Sequence, residues 1–312
     1  MISTHQNFFE NFIQSCAELE PLLTAVVHPV RATDIEVAAK AAKARLIEPI
    51  FIGPKARVDA AAQEAEIDIS QWSFIDVEYS HAGAAKGAEL AGKGEVGAIM
   101  KGGIHTDEVL HAIIVTRALM TERRISHAYL MDIPTYHKPI VITDAAVNIV
   151  PDLEVKADIL QNAINMWRAI FGCDKVPKAA ILAAVETINP KMQATLDAAA
   201  LCKMMERGQL TDAIVDGPLA FDNAISKEAA LAKGITSVVA GDPDILLAPN
   251  LESCNIMSKQ LTFLGNARAA GIILGAKVPV ILTSRADSET TRLMSCALAL
   301  KVAHARRCGF FK

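Results

Sequence analysis

A run of apolar residues from Val278 to Leu282 stops at Thr283-Ser284-Arg285-Ala286-Asp287-Ser288, and a helical pattern with Leu293, Met294, Ala297, Leu298 and Leu300 follows. Asp287 or Ser288 is the residue type that caps such a helix, and a cap alone contributes about 1 kcal/mol. Capping leaves Arg285 unexplained, because the positive end of a helix dipole disfavours a cation. A cation is useful there when an anion shares the site. Arg285, the unpaired amides of the first turn and the Ser284 hydroxyl together have the makings of a phosphate site.

A second constellation is Lys101-Gly102-Gly103 with His105, Thr106 and Asp107, placed where the apolar run Val96–Met100 ends. Open α/β sheets bind ligands at the carboxyl ends of their strands, and two glycines allow a close backbone approach. The same residues read equally as a capped helix start, with Thr106 or Asp107 as the cap. His105, Asp107 and His111 contain no helical i, i+4 histidine pair, so a metal reading is weaker. Asp216 and Asp222 flank a Gly-Pro turn, and Asn250, Glu252, Ser253 and Asn255 follow the apolar run Asp244–Pro249. Each loop alone is ordinary turn and cap chemistry. As a set of polar loops at strand ends, they are how a cleft is built.

Gly92-Lys93-Gly94-Glu95-Val96-Gly97 matches GxGxxG. A dinucleotide site needs a strand before the glycines and a helix after them. Here the order is reversed, so the glycines read as a helix-to-strand loop.

The elements that must carry these loops alternate in βα rhythm. Apolar runs are expected as strands at 22–30, 48–54 (stopped by Gly53-Pro54), 96–103, 179–185, 212–217, 237–241 and 244–249. Helices are expected at 34–46, 152–172, 191–207, 223–233 and 258–276, with Gly172 as a C-cap. This pattern implies right-handed crossovers and a mostly parallel sheet. At 312 residues two domains or one large one are expected, and the Pro-containing stretch 143–151 separates two complete α/β cycles.

Composition agrees. Hydrophobic residues make up 52% and charged residues 21%, enough for a large core and against disorder. The net charge of −4 leaves no footprint for nucleic acid or an anionic membrane. Six cysteines show neither CxxC pairing nor zinc spacing, and in a chain of this length they read as reduced thiols. There is no stretch of 18 apolar residues, and the first residues, MISTHQNFFENF, lack the features of a signal peptide. A cytoplasmic protein is expected.

Five segments in one order, MKGGIHTDEVL, ITDAAVNIVPDLEVKADILQNAI, DGPLAFDNAIS, APNLESCNIMSKQL and VPVILTSRADSETTRLMSCALA, resemble the phosphate acetyl/butyryl transferase family. The resemblance covers nearly all of the chain from Pro29 onward, and SRADS with APNLES looks closer to the butyryltransferase-like branch. It implies two α/β domains of the isocitrate/isopropylmalate dehydrogenase-like type, with mostly parallel sheets and a cleft between them. Domain I would comprise residues 1–142 and 282–312, and domain II residues 143–281. The implied reaction is acyl-CoA + phosphate ⇌ acyl phosphate + CoA for a short acyl group. Coenzyme A is then a substrate, no metal or further cofactor is needed, and a homodimer is expected.

By the same resemblance Ser284, Arg285 and Asp287 are catalytic. Lys101, Gly102, His105, Thr106, Asn250, Ser253 and Asn255 would bind phosphate and CoA. In the acetyltransferase branch an Asp seven residues after the Ser is the proposed base. This chain has Thr291 at that position, leaving Asp287 and Glu289 as the available carboxylates. Two rivals are a metal- and NAD-dependent dehydrogenase of the same fold superfamily and a non-catalytic acyl-CoA or phosphate-binding protein.

Overall fold

The expected alternation of apolar runs and Ala-rich helices is present in a computed structural model that describes residues 7–282 and 288–311. The elbow residues Ser284, Arg285 and Asp287 lie outside the described residues. Contacts group the chain into two units, residues 7–123 with 270–311 and residues 124–269.

In the first unit the chain runs through α1 (Phe8–Ser15), β1 (Leu22–Val27), α2 (Ala32–Lys43), β2 (Ile47–Gly53) and α3 (Lys55–Glu64). It continues with β3 (Ser73–Asp76), α4 (Ser80–Gly92), β4 (Ala98–Lys101) and α5 (Thr106–Val115). The second unit holds β5 (Ser126–Asp132), β6 (Ile140–Thr143), α6 (Leu153–Phe171), β7 (Lys178–Leu182) and α7 (Gln193–Glu206). After these come β8 (Ile214–Leu219), α8 (Phe221–Ile225), α9 (Lys227–Ala232), β9 (Ile245–Leu247) and α10 (Leu251–Phe263). The chain returns to the first unit through β10 (Arg268–Leu274), β11 (Val280–Ile281) and α11 (Glu289–Arg307). It thus changes unit at 123/124 and within β10 at 269/270, against the 142/143 and 281/282 suggested by the sequence.

Strands of the first unit lie in the order β3-β2-β1-β4-β11-β10, parallel except for the antiparallel pair of β10 with β11. In the second unit the order is β5-β6-β9-β7-β8, with β5 and β6 antiparallel and the rest parallel. Parallel strands carry helices on both faces, so successive residues are buried regardless of which face they point to. Ala25, Val26 and Val27 at the end of β1 are all buried. Helix α2 buries Ile35, Val37, Ala38 and Ala41 along one stripe, and α11 buries a nearly continuous run from Met294 to Leu300. A fully buried Leu or Ile contributes roughly 1.5–3 kcal/mol relative to exposure.

Helix α6 is buried almost all round, so its polar residues must find partners inside. Gln161 donates to Thr211 O at 3.2 Å and accepts from Thr211 N at 2.9 Å. Asn162 donates to Arg124 O at 2.9 Å and Ser126 Oγ at 3.0 Å, while Lys156 meets Asp197 of α7 at 2.5 Å.

The structure corrects the sequence reading at several elements. Residues 258–276 are not one helix: α10 ends at Phe263 and β10 begins at Arg268. Gly265 and Asn266, the latter at φ 51°, make the break, and Ala270–Leu274 is then a buried strand. Residues 237–241 form no strand, because the Ser237 hydroxyl accepts from Val239 N and Ala240 N and turns the chain. Residues 223–233 contain two short helices, with Ser226 capping the second through Ala229 N. No side chain caps α5, whose N-cap position is His105 and not Thr106 or Asp107. Gly92 closes α4 and β4 follows at Ala98, so the GxGxxG match is a helix-to-strand loop.

Candidate functional site

At the carboxyl ends of β1 and β4 two loops of the first unit lie against each other. Gly102 N donates to Val27 O at 2.9 Å, and Gly103 N donates to His28 O at 2.8 Å. A Cβ on Gly102 would stand 2.7 Å from Val27 O and 2.9 Å from Pro29 Cα, so no other residue fits against that backbone. The glycines are therefore required by the neighbouring strand itself. Lys101, half-buried, ends β4 with its Nζ 3.5 Å from Gly102 O. His105 is exposed and Thr106 half-buried at the start of α5.

The β1–α2 loop carries polar groups that sequence reading passed over. Arg31 occupies the N-cap position of α2 yet makes no side-chain bond to the helix amides. Its Nε and Nη2 instead hold the two carboxylate oxygens of Asp34, at 2.9 Å and 2.6 Å, in a fork. Asp34 is buried and lies beside Gly103, where a Cβ would stand 3.3 Å from its Oδ2. His28, at φ 54°, is 4% exposed, and its buried Nδ1 has no hydrogen-bond partner among the described residues. Burial, and then the Arg57 charge, push the His28 pKa below its usual value. The signal for Arg31 was legible: a cation immediately before a helix is the same anomaly that singled out Arg285.

Strand β11 runs parallel to β4 on its other side, with Ile281 opposite Met100. Strand β11 thus ends in register with Met100, one residue short of Lys101. Ser288 caps α11, accepting from Thr291 N at 3.2 Å. Thr291 is buried, bonded to the Ser288 hydroxyl at 3.1 Å, and its carbonyl accepts from Ser295 Oγ. It belongs to the helix cap, and a threonine hydroxyl offers no carboxylate base. Glu289 is engaged with Lys40 of α2 at 2.6 Å.

In the second unit the expected residues hold backbone. Asn250 caps α10 by accepting from Ser253 N at 2.9 Å, and the Ser253 hydroxyl bonds back to Asn250 O and Oδ1. Asn255 donates to Ala145 O at 3.0 Å. That carbonyl belongs to a loop organised by Asp144, which is buried and accepts from Ala146 N, Val147 N and Asn148 N within 3.1 Å. Asn148 Nδ2 adds a fourth bond at 2.6 Å. His127 is buried nearby, and burial pushes its pKa down to about 4 despite the Asp144 charge. Between the ends of β7 and β9 and helix α10 lies an apolar cavity of about 810 Å³, lined by Leu182, Phe221, Ile256, Met257 and Leu264, with Ser253 among its polar atoms.

Among the described residues no group of three or more His, Cys, Asp or Glu is arranged to hold a metal ion. Burial pushes Cys202 up to about 11 and Cys296 up to about 12, and it raises Cys16 and Cys254 as well, so these four thiols are not activated nucleophiles. Also among the described residues, no helix is long and apolar enough to cross a membrane.

The chain is similar to proteins of known activity over most of its length. A family described as phosphate acetyl/butaryl transferase matches residues 78–300. A phosphate acetyltransferase of Rickettsia prowazekii (strain Madrid E) is 52% identical over 292 residues, 93% of this chain and 83% of that one. A phosphate butyryltransferase of Clostridium beijerinckii is 36% identical over 298 residues, 94% of this chain and 98% of that one. Among solved structures, a branched-chain phosphotransacylase from Enterococcus faecalis V583 superposes with a TM-score of 0.77 at 28% identity, covering 91% of this chain and 99% of that chain.

Proposed function

Because the chain belongs to the phosphate acetyl/butyryl transferase family and is a phosphate acyltransferase, we propose how its own residues divide the reaction acyl-CoA + phosphate ⇌ acyl phosphate + CoA. The family match over residues 78–300 carries this reading and favours it over the dehydrogenase alternative. The finer kinship of the fold, to the isocitrate/isopropylmalate dehydrogenases, is part of the same reading, as are a homodimer and a cytoplasmic location.

In the direction of acyl-CoA synthesis the CoA thiol loses its proton and its sulfur attacks the acyl carbon. The bond from that carbon to the phosphate oxygen breaks, and phosphate leaves with the electron pair. Arg285, with the amides that open α11, balances the charge gathering on the phosphate, and Ser284 hydrogen-bonds near the sulfur. Asp287 takes the thiol proton. Two observations support that assignment: Thr291 is spent on the helix cap, and Ser288 supplies the cap that would otherwise account for Asp287. Transfer is direct, in a ternary complex, with proximity supplying the advantage; the raised pKa values of four of the six thiols are in keeping with this. Lys101, Gly102, His105 and Thr106 frame the phosphate end of the site. Asn250, Ser253 and Asn255 shape the loops that receive the CoA ester.

The acyl group is a matter of pocket volume, and the relatives' names include both acetyl and butyryl. Identity is higher to the relative named acetyltransferase, so acetyl-CoA is the first substrate to try. Rates of thiol release from acetyl-, propionyl- and butyryl-CoA in inorganic phosphate test the proposal. We expect phosphate-dependent release matched one-to-one by acyl phosphate. Release that does not depend on phosphate points to a thioesterase and overturns it.

A further inference from the structure

We infer that Arg31 is a phosphate ligand of the acyl-transfer site and that Asp34 is the residue that positions it. The inference rests on the phosphate acyltransferase reading above and adds a residue pair to it.

Arg31 is an unusual residue for its position. An N-cap residue normally accepts from the helix amides, which an arginine cannot do, and its charge opposes the dipole of α2. Asp34, in the first turn of that helix, is well placed without a partner, since the dipole already favours a carboxylate there. The two are nevertheless joined as a fork, Nε to Oδ2 at 2.9 Å and Nη2 to Oδ1 at 2.6 Å. Asp34 is 8% exposed, whereas Arg31 is 32% exposed. A buried carboxylate thus fixes the plane of a guanidinium whose Nη1 has no partner among the described residues. A planar guanidinium held along one edge presents its remaining N–H groups in a set direction, the geometry that suits two phosphate oxygens.

The loop around this pair carries a second unspent group. His28, three residues before Arg31, has a buried Nδ1 without a partner among the described residues, and its carbonyl receives Gly103 N. Buried polar atoms are nearly always paired, so an orphan in the same loop as a half-exposed arginine is a second group that a ligand atom would satisfy. Through Gly102 and Gly103 the same loop abuts the end of β4, alongside which β11 ends. Arg31 and Lys101 therefore belong to neighbouring strand-end loops of one sheet.

The chemistry fits a phosphate group, which either inorganic phosphate or coenzyme A can bring. Kinetics separate the two sources. In the thiol-release assay, Arg31→Gln is expected to raise one KM about ten- to a hundred-fold, with a much smaller change in kcat. A rise in the KM for inorganic phosphate assigns Arg31 to that substrate. A rise for acetyl-CoA assigns it to the CoA phosphates, and S-acetylpantetheine, which lacks the nucleotide phosphates, should then be turned over by wild type and variant alike. Asp34→Asn should raise the same KM by a smaller factor, and the double variant should be no worse than Arg31→Gln alone. Arg31→Lys, which keeps the charge and loses the fork, reads the same KM if the glutamine variant does not fold. Titration calorimetry with inorganic phosphate and with CoA reads affinity without turnover, so a failed transferase reading does not hide the answer. Both KM values and both affinities within two-fold of wild type in Arg31→Gln, or in Arg31→Lys where it stands in, would overturn the inference, even if the melting temperature falls.

Discussion

Two loop clusters at strand ends, one in each unit, use similar residues in opposite ways. In the second unit Asp144, Asn250, Ser253 and Asn255 direct their polar atoms inward, to amides and carbonyls of their own loops. In the first unit the loop amides of Gly102 and Gly103 are satisfied by the end of β1, and among the described residues Arg31 Nη1 and His28 Nδ1 have no partner. A polar residue at a strand end is therefore informative about chemistry only after its own loop has been supplied. On the proposed function the first cluster makes the ligand contacts, and the second holds its own loops in shape.

The largest expected effect falls on Arg285, in the sequence between β11 and α11. Arg285→Ala should lower turnover about 10²–10³-fold with the melting temperature unchanged, as removal of one transition-state donor commonly does. Retention of near-normal activity would end its phosphate role.

In the second cluster the order reverses, stability falling and chemistry staying. Asp144→Asn, which exchanges acceptors for an amide donor facing backbone N–H groups, should cost about 2–3 kcal/mol in denaturant unfolding. A loss below 0.5 kcal/mol would mean that the loop does not depend on that carboxylate.

Acid acts on the same cluster. His127 is buried, and its pKa is pushed down to about 4, below the ordinary value near 6.5. The folded chain then binds fewer protons than the unfolded one between those values, so stability is complete above about pH 6.5 and is lost as pH falls toward 4. His127→Asn should flatten that part of the melting temperature profile, and an unchanged slope would remove His127 as the cause.

The smallest effects separate cap from catalyst. Ser288→Ala and Asn250→Ala should each cost about 1 kcal/mol, with kcat/KM at 25 °C within two-fold of wild type. Asp287→Asn should do the converse, leaving the melting temperature in place and lowering turnover with a changed pH profile. If Asp287→Asn instead lowers the melting temperature and leaves turnover intact, the carboxylate is structural.

Much of this contrast was legible in the sequence. Strand–helix alternation, the caps at Asn250 and Ser288 and the reversed order around Gly92–Gly97 all depend on residues near each other in the chain. Local signals failed where a through-space partner decides. Residues 268–274 read as a continued helix because nothing nearby shows that they pair with β11. Gly102 read as room for a ligand, whereas its missing Cβ makes room for Val27 O and Pro29. Arg31 was the converse case. The rule that singled out Arg285 applies to it equally, but its importance emerges only with the fork to a buried Asp34.

The central claim is that acyl transfer to phosphate takes place at the strand ends of the first unit, with Arg285 holding the phosphate. Thiol release from acetyl-CoA, followed with and without inorganic phosphate for wild type and Arg285→Ala side by side, tests it most directly. The account predicts release by wild type that requires phosphate and falls at least a hundred-fold in the variant. No phosphate-dependent release from any short acyl-CoA, or equal rates in the two proteins, would contradict it.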